Sequence, residues 1–445
     1  MLDIAQEAVR LALSQGATDA ECTILEGDEF DATVRMRQLE TLKEAGSRGA
    51  GLRILLGQKV GSSYTSDLTR AGIEYMVKSA LEIAQISTED PFAGLPEAAD
   101  LGSIGGDLGL YCEDVASLET QFKIDQATVA EESALSADAR ISNSEGGSFS
   151  SYAGGRYFAN SRGFAGSYRS SSCSLSVVAV AQENGSMERD YWYTLARGSA
   201  GLEKAELVGR KAAERTLRRL GARKIATQKV PVIFEPRVAR GLLSSIFEAI
   251  DGESVYRKSS FLVEKLGEKV ASENVTVVDD GTIPGLFGST PFDDEGVPSR
   301  RTVAIDRGVL KSYLLNTYTA RKLGLKSTGN ASRGITGNAS VGPGNFFLEK
   351  GSRSPEEILR SVKRGLYVTE LIGSGVNIVT GDYSRGAVGL WIENGELAYP
   401  VSEITIAANL REMLMDIEMI GSDLTFLGST ASPTILIREM TISGQ

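Results

Sequence analysis

The sequence predicts an α+β protein: a mixed α/β N-terminal region followed by a strand-rich, largely antiparallel C-terminal domain. Three observations carry this. Helix-period apolar stripes alternate with hairpin-like runs in the first 86 residues. A Gly- and Ser-rich stretch from Ser142 to Ser176 is threaded with aromatics. Beyond Lys224, short apolar runs are punctuated by Gly, Asn and Asp. The division is placed at residues 1–225 and 226–445, since a chain of 445 residues normally buries more than one core.

Ile4, Ala5, Ala8, Val9, Ala12 and Leu13 share one face of a first helix, and Gly16 stops it. Thr33 to Arg37 alternates as a strand. Gly49 to Leu56 and Val60 to Ser66 read as a hairpin around Gly57-Gln58-Lys59. A helix over about Leu68 to Ile86 buries Ile73, Met76, Val77, Ala80, Leu81 and Ala84, and Asp90-Pro91 and Gly94-Leu95-Pro96 close that unit. A third helix fits Val115 to Leu135. The stretch from Ser142 to Ser176 is read as a β-meander of short strands, because a solvated linker has no use for Phe149, Tyr152, Tyr157, Phe158, Phe164 and Tyr168. A basic helix from about Gly201 to Leu220 ends the N-terminal region.

Val230 to Phe234 is a buried strand opening the second region, with helices near Val238 to Ile250 and Pro355 to Gly365. Val388 to Ile392 and Leu397 to Val401 form a hairpin whose turn, Glu393-Asn394-Gly395-Glu396, contains the strongest short-range hairpin dipeptide. The repeat Thr328-Gly329-Asn330-Ala331-Ser332 and Thr336-Gly337-Asn338-Ala339-Ser340 reads as paired turns.

Composition excludes several chemistries. The chain has no histidine, which removes Ser-His-Asp triads, Cys-His dyads and His-ligated zinc. A net charge of −11, from 47 basic and 58 acidic side chains, argues against a bulk electrostatic grip on nucleic acid. Cys22, Cys112 and Cys173 are too few and too scattered for a disulfide framework or a metal knuckle. Neither a signal peptide nor a membrane-spanning run is expected, so the sequence reads as a cytoplasmic protein.

The remaining candidates are weak on residue chemistry alone. Ser254-Val255-Tyr256-Arg257-Lys258 misses the S-x-x-K spacing by one residue. Asp279-Asp280 and Asp293-Asp294-Glu295 could bind a hard cation or act as an acid/base pair. Beside Gly281 and Gly296 they read better as solvated turn residues. Gly373-Ser374-Gly375 and Gly342-Pro343-Gly344 lack the ending of a P-loop, and 49 glycines make such matches common. Arg210-Lys211, Arg215, Arg218 and Arg219 could touch an acidic partner but read as a solvated helix face.

Several segments in order resemble one family. They are Gly49-Ala50-Gly51-Leu52-Arg53 with Lys59-Val60-Gly61, then Val255 to Leu262, Gly381-Asp382-Tyr383-Ser384-Arg385-Gly386, Ile392 to Glu396, and Tyr399 to Ala407 with Asn409-Leu410 and Ile420-Gly421. Together they look like the TldD/PmbA proteins, also called modulators of DNA gyrase, over most of the chain. The resemblance implies two kinds of subunit. The TldD type carries a His-Glu-x-x-x-His helix and a later cysteine for zinc; the PmbA or TldE type lacks them, and the two form a peptide-cleaving complex. This chain resembles the second type. An ungapped match puts Ser245 and Ile250 at the histidine positions of the helix near 238–250 and Ile246 at the glutamate position, and no cysteine follows Cys173.

The resemblance therefore implies a chain with no catalytic residue, metal ligand or cofactor of its own. Zinc is expected in a TldD-type catalytic subunit that this chain supports as one wall of a chamber for peptide or unfolded protein. Tyr256, Arg257, Asp382, Tyr383 and Arg385 are candidates for the channel wall, against a plainer reading as fold-stabilising turn residues. The isolated chain has a homodimer open to it, because a surface made for a similar partner can accept a copy of itself, and the sequence leaves that state undecided. No direct nucleic-acid or membrane contact is expected. The alternative is a stand-alone protein-binding modulator, for example of DNA gyrase, without peptidase action.

Overall fold

A computed structural model describes residues 1–444. Six strands between Asp19 and Ala196 form one antiparallel sheet, in the order Lys59–Thr65, Gln38–Leu56, Asp19–Arg35, Ile141–Asn160, Ala165–Glu183, Ser186–Ala196. The alternation of its strands explains how the two halves of the chain are joined. On Asp19–Arg35 the even-numbered residues Ala20, Cys22, Ile24, Phe30, Ala32 and Val34 are buried beneath helices. Helices Leu2–Ser14 and Arg70–Ile86 cover one end of that face, and Thr120–Leu135 and Ala205–Leu217 cover the other. The odd-numbered Glu21 and Thr23 point to the opposite face and meet Arg333 of the C-terminal half.

The first helix, the hairpin at Gly57-Gln58 and the helix over Arg70–Ile86 stand as the periodicity indicated, with Gly16 at φ +104° and Thr69 capping the second helix. Three expectations need correction. The strand thought to run through Arg37 ends at Arg35. Met36 and Arg37 take φ +49° and +62°, and their amides donate to the buried Glu131 carboxylate at 2.8 Å each. The helix expected over 115–135 is two, Glu113–Ser117 and Thr120–Leu135, because Leu118 and Glu119 are extended. The meander is real, but its strands are not short: Ile141–Asn160 has 20 residues and Ala165–Glu183 has 19.

In the C-terminal half, strands Arg364–Ile372, Gln228–Phe234, Ile435–Ser443, Glu396–Asn409 and Asp382–Glu393 pair in sequence. The first and last also pair with each other, closing a barrel-like ring. Only Arg364–Ile372 and Gln228–Phe234 run parallel within that ring. The hairpin turns at Asn394-Gly395 with φ +54° and +81°, as the dipeptide demands, although its strands are longer than expected. The helix expected to reach Gly365 stops at Ser361, since Arg364 already pairs with Glu393.

A second sheet orders Val309–Leu310, Arg301–Asp306, Val277–Asp280, Phe346–Leu348 and Thr430–Ala431. Helix Pro236–Ile250 joins the largest apolar core, which draws residues from both C-terminal sheets. The repeated Asn-Ala-Ser turns pair as two short strands, Ala331–Ser332 with Ser340–Val341.

Docking of the halves depends on Gly51. A Cβ there would stand 1.7 Å from the carbonyl oxygen of Ile335, a backbone atom that cannot rotate away. Gly51→Ala is expected to lower stability by about 1–3 kcal/mol. The control is Gly105→Ala, where a Cβ meets nothing within 4 Å. Equal melting temperatures for the two variants would contradict this account.

Candidate functional site

Helix Pro236–Ile250 carries the positions that the family resemblance singles out. Pro236 opens it at a position where a missing amide costs nothing. Leu242, Leu243, Ile246, Ala249 and Ile250 form its buried stripe. Ile246 and Ile250 are core residues, and Ser245 is buried with its hydroxyl donating back to the Gly241 carbonyl at 3.3 Å. The three positions therefore contribute packing and one local hydrogen bond.

The other face of the same helix is polar. Arg237, Arg240, Gly241 and Ser244 line a cleft of about 570 Å³. Arg385, from strand Asp382–Glu393, lies across from them, with its Nη1 3.9 Å from where a Gly241 Cβ would stand. The far wall is Asp190 and Tyr191 from the N-terminal sheet, and Thr369 to Leu371 with Gly428 to Thr430 complete it. Arg237 stacks over Tyr191 at 4.1 Å, and Arg240 Nη1 donates to the Tyr193 hydroxyl at 2.9 Å.

Of the candidate wall residues, only Arg385 lines this cleft. Tyr383, two residues earlier on the same strand, is 2% exposed in the core, and its hydroxyl has no hydrogen-bond partner. Burial pushes that phenol up to about 12. Asp382 is exposed and accepts from Thr380 at 2.6 Å. Tyr256 packs edge-on against Tyr318 at 6.1 Å, and the exposed Arg257 pairs with Glu253 at 2.7 Å. The sequence reading missed Arg237 and Arg240. Their signal was the polar spacing 237, 240, 244 opposite the apolar stripe of the helix.

The basic helix, read as a solvated face, is corrected. Arg215 and Arg219 are buried at 9% and 8% exposure. Arg215 pairs with Glu235 at 2.8 Å and Asp190 at 3.2 Å, and Arg219 pairs with Glu370 at 2.6 Å. Helix Ala205–Leu217 buries its other stripe against the sheet, so these arginines are pressed into the junction with the C-terminal half, where carboxylates meet them. Only Arg210 stays fully out in solvent among the basic residues singled out there.

The acidic clusters are also corrected: they are turn residues, but not solvated ones. Asp279, Asp280, Asp293 and Glu295 are each 7% exposed or less. Asp293 accepts from the amides of Glu295, Val297 and Ala331 at 2.9–3.0 Å. Glu295 accepts from the Thr317 amide at 2.9 Å, and Asp294 pairs with Arg156 at 2.8 Å. Burial and mutual repulsion push Asp293 above the ordinary carboxylate range. These carboxylates cap backbone amides and organise the loops between the halves.

Residues 20–84, 113–220 and 227–444 match in turn domain 1, the central domain and the C-terminal domain of the PmbA/TldA metallopeptidases. Metalloprotease PmbA of Escherichia coli O157:H7 is 41% identical over 445 residues, 99% of this chain and 96% of that protein. The chain belongs to the PmbA/TldD metallopeptidase family.

Two solved structures share its fold. A candidate modulator of DNA gyrase from Bacteroides thetaiotaomicron superposes with a TM-score of 0.92 at 30% identity, covering 100% of this chain and 98% of that one. TldE from Thermococcus kodakarensis superposes with a TM-score of 0.89 at 22% identity, covering 99% of this chain and 100% of that one, which speaks to fold alone. The family description implies a metal. The donor set here does not fit one: histidine is absent from the chain, and no three His, Cys, Asp or Glu side chains converge among the described residues. No helix among those residues is long and apolar enough to cross a membrane.

Proposed function

We propose that this chain is the metal-free subunit of a two-subunit peptidase of the PmbA/TldD family, supporting a zinc-bearing TldD-type partner and forming one wall of the chamber that receives unfolded peptide. The carrying observation is the helix Pro236–Ile250. It is well packed, and the positions that the family resemblance aligns with the metal motif are a buried serine and two core isoleucines. A catalytic zinc needs about three nitrogen, sulfur or oxygen ligands and an open water position. Serine and isoleucine supply neither.

The test is zinc content and peptide cleavage by the purified chain, alone and mixed with a TldD-type partner. The expected result is no stoichiometric zinc and no cleavage alone, with chelator-sensitive cleavage in the mixture. Cleavage by the lone chain would overturn the reading. The description of one similar structure as a candidate gyrase modulator favours a second reading, a binding protein without peptidase action. A mixture that forms a complex but never cleaves would favour that one.

A further inference from the structure

The cleft on the polar face of helix Pro236–Ile250 has an excess of unpaired positive charge. Arg237, Arg240 and Arg385 line it, and none of the three makes an ion pair. Arginines buried elsewhere in the chain do: Arg53 and Arg333 meet Glu21, Arg215 meets Glu235, and Arg219 meets Glu370. Arg237 and Arg240 have only neutral hydrogen-bond acceptors, the Tyr191 carbonyl at 3.1 Å and the Tyr193 hydroxyl at 2.9 Å, and the Nε atoms of Arg237 and Arg385 are buried without a hydrogen-bond partner. Two carboxylates do reach the cleft, Asp190 and Glu370, but Arg215 and Arg219 hold both from behind. Guanidinium groups drawn partly out of water without a counter-charge are costly, and planar forks of this kind match carboxylate geometry.

A second feature shows what else the occupant meets. Strand Thr430–Ala431 is the outermost strand of its sheet, and Thr430 lines the cleft. A sheet edge offers main-chain hydrogen bonds to an extended chain, whatever its side chains. The cleft volume of about 570 Å³ suits a few residues, not a folded domain. We propose that this cleft captures the carboxylate end of a short extended peptide, with Arg240 and Arg385 holding the carboxylate and the Thr430 edge holding the backbone. This deepens, and rests on, the reading of the chain as a peptide-handling subunit.

The test uses the full-length chain alone, titrated calorimetrically with tetra-alanine bearing a free C-terminus and with its C-terminal amide. The free acid is expected to bind at least about tenfold more tightly, a difference of about 1.4 kcal/mol. Arg385→Gln and Arg240→Gln are each expected to erase that preference. Melting temperatures check folding, and if Arg385→Gln unfolds the barrel strand, Arg240→Gln on the helix surface decides the matter.

Equal binding of acid and amide, no binding of either, or a preference that survives both substitutions would overturn the proposal. An acetylated, amidated peptide with one internal glutamate distinguishes a side-chain carboxylate from a chain end, and its binding as tightly as the free acid would also overturn it. So would inorganic phosphate displacing the peptide at equal affinity, which marks a general anion pocket. Because binding is read without the partner, a failed titration beside zinc-dependent cleavage in the mixture sinks this inference and leaves the subunit reading intact.

Discussion

Glu21→Ala is expected to destabilise the protein by about 3–5 kcal/mol at neutral pH, since it strips the shared carboxylate from two buried cations. Glu21 is 1% exposed on the sheet face that meets the C-terminal half. Its register partner Arg53, on the neighbouring strand, donates to it at 2.9 Å, and Arg333 reaches it from the loop after the first Asn-Ala-Ser turn. Removal leaves two buried guanidinium groups with the neutral acceptors Asn338 and Thr23 and without the carboxylate that both pair with.

The pH dependence has a definite sign. Burial opposes ionisation of Glu21, but Arg333 and Arg53 outweigh it and hold the carboxyl below its ordinary range. A depressed folded-state value gives stability that is present above the unfolded carboxylate pKa and lost as pH falls through the folded one. The gap between wild type and Glu21→Ala, read from urea midpoints, should therefore be widest near neutrality and narrow in acid. A gap below about 1 kcal/mol at pH 7, or one that widens in acid, would show that the two halves are held together by something else.

What could be read from sequence follows the range of the interactions. Periodicity and turn chemistry are local, and so the helices at Leu2–Ser14, Arg70–Ile86 and Pro236–Ile250 and the Asn394-Gly395 hairpin were legible. The turn at Met36-Arg37 was not, because neither residue favours positive φ; the carboxylate that holds it, Glu131, is almost 100 residues away.

The same reason accounts for the misread charges. Asp293, three residues before Gly296 at φ +83°, is a good turn residue on any local reading. It is buried where the Ala331 amide donates to it and Phe164 of the N-terminal half packs against the neighbouring Phe292. Arg215 and Arg219 occupy a helical face that would be solvated if Glu235 and Glu370 were not brought to it by the barrel strands. At the candidate site, the polar stripe Arg237, Arg240, Ser244 was present in the sequence, but Arg385, far along the chain, gives it meaning only once the barrel closes. The family resemblance directed attention to the buried side of this helix, where Ser245, Ile246 and Ile250 lie.

Asp279→Asn should act in the opposite direction to Glu21→Ala, stabilising the protein by about 3 kcal/mol above pH 7. Asp279 is 3% exposed at the rim of a second cavity, of about 270 Å³. Its Oδ2 accepts from the Asn330 amide at 2.7 Å, while Oδ1 has no partner. Burial pushes the carboxyl up to about 6, against the pull of the bonds from Asn330 and Gly344. A raised folded-state value means that the native chain holds its proton where the unfolded chain has lost it. Stability is therefore lost as pH rises from the unfolded value, about 3.9, to the folded one. Asparagine keeps an oxygen for Asn330 and never ionises, so its advantage should be absent near pH 4, grow through pH 5 and level off above pH 7. A constant difference from pH 4 to pH 8 would mean that Asp279 does not titrate in this range. A loss of stability at pH 8 would mean that the ionised oxygen finds a favourable partner, such as a bound cation, at the cavity rim. The buried carboxylates on the two faces of this junction thus separate by sign: Glu21, met by two arginines, contributes stability by being charged, and Asp279, met by one amide side chain, costs stability for the same reason.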